Sequence, residues 1–144
     1  MTRASRLMAG ITLILVPTIE YGGYFLLKSL SNPASGYIAN PVREDLMRAG
    51  HAHAGVIILL SLVGQLLADG AALPSQLVWC IRIGLPLAAV LMSAGFFLSM
   101  PSTASTHPNG MISLVFAGAT VLALSVLGLA VGLLRNPRAT PRPA

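Results

Sequence analysis

A chain of 144 residues with 55% hydrophobic and 9% charged side chains lies far from the soluble average of about 25% charged. A soluble domain this small has no interior large enough for so much apolar surface, so lipid must be the solvent for most of it. The net charge of +5 comes from arginines at the chain ends and in loops, without a basic stripe interleaved with aromatics, so no nucleic-acid partner is expected. The single cysteine, Cys80, cannot form an internal disulfide and reads as a small core residue.

Four apolar segments follow in chain order, at about 7–27, 50–68, 77–100 and 111–134. Each is near the roughly 20 residues that cross about 30 Å of hydrocarbon, and lipid cannot satisfy backbone amides, so each must be a helix. The first, from Leu7 to Leu27, follows Arg3 and Arg6 as a signal peptide would, but it is longer than an h-region and carries Glu20. It is expected to persist as a helix with a kink at Pro17. Asn40-Pro41 reads as a helix start, with Asn as N-cap, Pro at the first position and Glu44 and Asp45 in the first turn. The third segment contains Pro86, a second expected kink, and Arg82, expected to snorkel toward headgroups. Thr106-His107-Pro108 reads as a cap before the fourth.

The expectation is therefore an all-α, polytopic four-helix bundle as one domain over residues 1–134, with a disordered basic tail at 135–144. Arg3, Arg6, Arg135, Arg138 and Arg142 predict both termini in the cytoplasm of a bacterial-type plasma membrane. A weak internal repeat sets Gly23-Tyr24-Phe25-Leu26 against Gly95-Phe96-Phe97-Leu98, and His53-Ala54-Gly55 against the segment at His107. It would make the molecule two parallel helical hairpins and would put Met92 where Glu20 stands in the first half.

The chemistry-bearing residues gather at the outer membrane face. His51, His53 and His107 all fall there under this topology, and histidine is the commonest metal ligand and a haem ligand. Glu20 lies about 11 Å below the outer end of its helix at 1.5 Å per residue. Imidazole, carboxylate and the thioether of Met92 would together suit copper. The alternative reading of Glu20 is structural: a hydrogen bond to a neighbouring helix or a pairing with an arginine such as Arg48. His51 and His53 are two residues apart, which on a helix is a turn of about 200°, so they point to opposite sides. His51 shares its face with Ile58, Ser61 and Gln65.

Ala49-Gly50-His51-Ala52-His53-Ala54-Gly55 resembles the His-x-His element of subunit I of haem–copper oxidases, where two histidines serve two haems on opposite sides of one helix. The whole chain is similar to uncharacterised small four-helix membrane proteins of bacteria. The oxidase resemblance implies haem or a copper-like metal at His51 and His53. It covers about ten residues, and only His107 remains as a further imidazole, so at most one haem or one metal is implied. No phosphate loop, nucleotide fingerprint, Ser-centred elbow or HExxH occurs, and the sequence leans away from an enzyme. The functional expectation is a redox or metal-handling membrane protein. The alternatives are a non-catalytic subunit of a homo-oligomer or larger membrane complex, whose histidines are structural, and an oligomeric proton-coupled carrier using Glu20.

Overall fold

Proline and asparagine set the helix boundaries. Residues 1–135 are described by a computed structural model, and all regular structure among them is helical. The Thr2 hydroxyl accepts the Ser5 amide at 3.2 Å and starts α1 (Arg3–Ile14). Pro17 has no N–H to continue the ladder, and the chain breaks at Leu15 before resuming as α2 (Val16–Leu30). Asn40 Oδ1 accepts the Arg43 amide at 3.1 Å and starts α3 (Pro41–Leu67), with Pro41 in the first position as its pattern predicts. α4 spans Ser75–Ser99 and α5 spans Ser113–Leu134.

Four stretches, Arg3–Leu30, Pro41–Gly70, Ser75–Ser99 and Gly110–Leu134, are long and apolar enough to cross a membrane. They form a four-helix bundle in which α3 and α4 are the central pair, α1–α2 flanks α3, and α5 flanks α4. Ile57 and Ile58 of α3 and Ala88, Ala89 and Met92 of α4 form the middle of the core. Leu15, Val16 and Ile19 close over them from the first span, and Val115, Val121 and Leu122 from α5. Without a hydrophobic force between helices in lipid, close approach depends on small residues. A Cβ at Gly118 would stand 2.9 Å from the Met92 nitrogen, and one at Gly95 would stand 2.7 Å from the Val115 nitrogen.

With four crossings the two ends of the described residues lie on one face, where Thr2 bonds Asp69 and the Ala72 amide donates to Gly132 O at 2.8 Å. The opposite face carries the two longer connections, and Gly36 turns the first of them at φ +65°, a conformation that favours glycine. Asn40 Nδ2 ties these connections together by donating to Thr103 O at 2.9 Å and Ser105 O at 2.8 Å.

Pro86 lies inside α4. The proline leaves the Arg82 carbonyl without its helical donor, and Gln65 Nε2 takes its place at 2.9 Å. Several expectations need correction. Arg82 does not snorkel; it is 3% exposed. Cys80 is exposed rather than core. Thr106 does not cap α5: a short turn at Gly110–Ile112 precedes that helix, with Asn109 Oδ1 accepting the Met111 amide at 2.8 Å. Arg135 forms the C-cap of α5, and the rest of the expected tail lies outside the described residues. The repeat pairs Glu20 with Met92, yet Glu20 is exposed and Met92 is buried in the core.

Candidate functional site

The outer half of α3 carries the candidate site. Glu44, Arg48 and His51 follow one another at helical spacing, so they share one face. That face looks toward Leu26, Leu27 and Leu30 of α2 across a cleft of about 380 Å³, with Tyr37 also lining it. The His51 ring lies against α2 so closely that a Cβ at Gly23 would be 3.1 Å from Cε1 and one at Gly22 would be 3.6 Å from Nδ1. His51 has no hydrogen-bond partner among the described residues. Arg48 and Glu44 pair across one turn at 3.2 Å. This exposed i,i+4 pair contributes at most a few tenths of a kcal/mol, so it is readily rearranged.

Tyr37 is almost wholly buried, and its hydroxyl points to Glu44 O at 3.4 Å. Burial pushes its phenol above the usual 10, and the Glu44 carboxylate adds to that shift. Beside it Arg43 is buried, and its Nε donates to Met100 O at 3.1 Å, capping the end of α4.

His53 points away from His51, as the helical rotation requires. Its Nδ1 bonds Ala49 O at 2.7 Å and its ring packs on Phe96 of α4 with centroids 5.2 Å apart. A carbonyl only accepts, so Nδ1 carries the proton and Nε2 keeps its lone pair in the neutral ring. His107 is exposed in the connection between α4 and α5. Met92 lies in the core among Ile57, Ile58, Ala88 and Ala89. Glu20 is exposed on α2 below the Gly22–Gly23 contact, with no hydrogen-bond or ion-pair partner among the described residues. The histidines therefore do not converge with Glu20 and Met92, and no three His, Cys, Asp or Glu side chains gather to hold a metal among the described residues.

A second polar centre, which the sequence pattern did not announce, sits at the face of the chain ends. Arg82 Nη1 donates to Ser5 Oγ and to Gln65 O, each at 2.9 Å, and Nη2 reaches Asp69 Oδ1 at 2.7 Å. Asp69 also accepts the Thr2 amide at 3.0 Å, the Thr2 hydroxyl at 2.7 Å and the Ser5 hydroxyl. Arg82, Gln65 and Ser5 are buried. Both Nη groups of Arg82 are met inside the protein, by residues of the first span, of α3 and of the turn that follows it, which makes the cluster a joint between α1, α3 and α4. Its one sequence signal is an arginine four residues before a proline inside an apolar run, facing a glutamine in the preceding helix. No protein-family model, no curated protein and no solved structure matches this chain.

Proposed function

We propose that this multi-pass membrane protein holds a haem-class prosthetic group in the cleft between α2 and α3, with His51 as the protein's donor. The observation that carries the reading is His51 itself: an imidazole with no hydrogen-bond partner among the described residues, lining a cleft of about 380 Å³. That volume lies within the range of ligand pockets, which run from about 300 to 1,000 Å³. The donor set favours haem over a bare copper-like ion. An ion of that kind needs three or four protein ligands, whereas His51, His53, His107, Glu20 and Met92 lie in separate settings. A macrocycle brings its own equatorial donors and asks the protein for one or two imidazoles.

Such a group would supply one-electron chemistry. The chain's part is to bind and orient it. Leu26, Leu27 and Leu30 exclude water from one side, Gly22 and Gly23 make room for the imidazole itself, and Arg48 can leave Glu44 to meet a carboxylate on the ligand. The test is titration of the purified protein with haem, followed by its Soret band. Saturable one-to-one binding that His51→Ala abolishes and His107→Ala leaves intact is expected. A wild-type protein that binds no haem stoichiometrically refutes the reading.

A specific observation supports one alternative. The bond of His53 to its own helix and its packing on Phe96 suit a structural imidazole in a non-catalytic subunit. In that case His53→Ala disturbs assembly and leaves cofactor content unchanged. For orientation, Arg3, Arg6 and Arg135 flank the face of the chain ends, while on the opposite face Arg43 is buried and Arg48 is paired. This favours a cytoplasmic location for both ends in a bacterial-type plasma membrane. Labelling of a cysteine introduced at Ser102 or at residue 2 by a membrane-impermeant reagent in intact cells tests it.

A further inference from the structure

The first span flanks the bundle and turns a polar patch outward. Glu20, Tyr21 and Tyr24 are all exposed on α2. None of their polar tips has a hydrogen-bond partner among the described residues, although the two phenol rings lie 6.4 Å apart. Glu20 stands ten residues below the end of α2 at Leu30, about 15 Å at 1.5 Å per residue. At that depth lipid offers no donor or acceptor, and an intramembrane carboxyl needs a protein partner. This chain does not supply one: α2 meets α3 through Gly22 and Gly23, and the patch lies off that contact.

The pattern around the patch defines a seam. Along α2, Pro17, Glu20, Tyr24 and Leu27 are spaced by three, four and three residues, Gly10 and Leu13 stand on α1 before the break at Leu15, and every one of them is exposed. This is the alternation by which one helix lays a continuous stripe against another. At its lower end a Cβ on Gly10 would meet nothing within 4 Å, so the backbone there is open to a close neighbour.

We infer that this seam joins two copies of the chain across a two-fold axis, with Glu20 of each copy accepting from a tyrosine hydroxyl of the other. The patch is self-complementary because it holds an acceptor and two donors, which is what an isologous contact requires. Depth also matches. Helical side chains lean toward the N-terminus, so Tyr24 covers the turn below its own Cα and brings its hydroxyl toward the level of Glu20. A second copy inserted in the same orientation repeats that level automatically. The seam shares Leu27 with the α2–α3 cleft, but Glu20, Tyr21 and Tyr24 lie outside the cleft's lining and the contact does not depend on any cofactor.

The experiment is single-molecule photobleaching of the full chain, labelled once and reconstituted in phosphatidylcholine–phosphatidylglycerol vesicles over a range of protein-to-lipid ratios. Two-step bleaching is expected for the wild type. Glu20→Leu should move the dimer midpoint at least tenfold toward higher protein density, and Tyr21→Phe with Tyr24→Phe should move it several-fold. Glu20→Gln should retain the dimer, and Leu124→Ala on the outer surface of α5 should leave the midpoint in place. If Glu20→Leu fails to fold, the two Tyr→Phe changes, which each remove one oxygen, decide the matter. Single-step bleaching of the wild type at every ratio overturns the proposal, as does a dimer whose midpoint ignores the Tyr→Phe changes.

Discussion

Arg82→Met is the most informative perturbation of the bundle. It keeps much of the side-chain length and apolar stem but removes the guanidinium that meets Ser5 Oγ, Gln65 O, Gln65 Oε1 and Asp69 Oδ1. Breaking a buried ion pair by deleting one partner costs about 3–5 kcal/mol, chiefly from the charge left behind. That figure must be reduced here. The Asp69 side chain is 21% exposed and keeps its bonds from Thr2 and Ser5 after the change, so the expected loss is about 2–4 kcal/mol. Asp69→Asn keeps an acceptor and leaves Arg82 its other contacts, with an expected loss of about 1–2 kcal/mol. The double variant should be milder than the sum of the two by at least about 1 kcal/mol, because the residues share one network. Unfolding from dodecylmaltoside by added dodecyl sulfate measures these differences, and Trp79, the only tryptophan, reports from the same helix as Arg82. Arg82→Met unfolding at the same dodecyl sulfate fraction as the wild type would refute the claim that this joint holds α1 to α3 and α4.

The same assay separates the glycines. Gly95→Ala and Gly118→Ala each drive a Cβ against a neighbouring backbone nitrogen that cannot swing away and should cost about 1–3 kcal/mol, whereas Gly55→Ala, with nothing within 4 Å of its Cβ, should be neutral or stabilise by up to about 1 kcal/mol. Gln65→Leu should cost about 1–3 kcal/mol by leaving the Arg82 carbonyl unmet, and part of that loss should vanish in a Pro86→Ala background, where the restored amide of residue 86 can donate instead. Tyr37 gives a pH dependence: its phenol titrates above the usual 10 in the folded protein, so its contribution is complete below about pH 10 and is lost as the pH rises through the folded value. The wild type should therefore weaken in strong alkali by more than Tyr37→Phe does, as read by unfolding and by the delayed appearance of phenolate absorbance.

The four crossings were legible because the bilayer imposes a length and forbids unsatisfied backbone, so apolar runs near 20 residues admit one interpretation. The start of α3 was legible too, since Asn40, Pro41 and Glu44 are local signals that need no tertiary knowledge. The opposed directions of His51 and His53 followed from helical rotation alone, and the structure sets one ring on Gly22 and Gly23 and the other on Phe96. What did not follow was convergence. Residues at similar depth can lie on different sides of a bundle, and depth was all that related His107, Glu20 and Met92 to the other two histidines. The Arg82 cluster escaped notice because it joins residues from Thr2 to Arg82 through pairings in space. Near a helix end, an arginine that snorkels and one that is buried have the same sequence context. Cys80 escaped for a related reason: α4 is apolar on every side, so its pattern does not say which side faces the bundle.

The joint at Arg82 also bears on how the molecule is made. Synthesis delivers Ser5 and Thr2 first, Gln65 and Asp69 next, and the guanidinium that unites them only with the third crossing. A nascent hairpin of two crossings thus carries an acid met only by Thr2 and Ser5 and an amide that lacks the Arg82 carbonyl, which disfavours its settling into bare lipid. Arrival of the third crossing discharges that penalty and seals three helices at once, so a truncated polypeptide would advertise its incompleteness to membrane quality control.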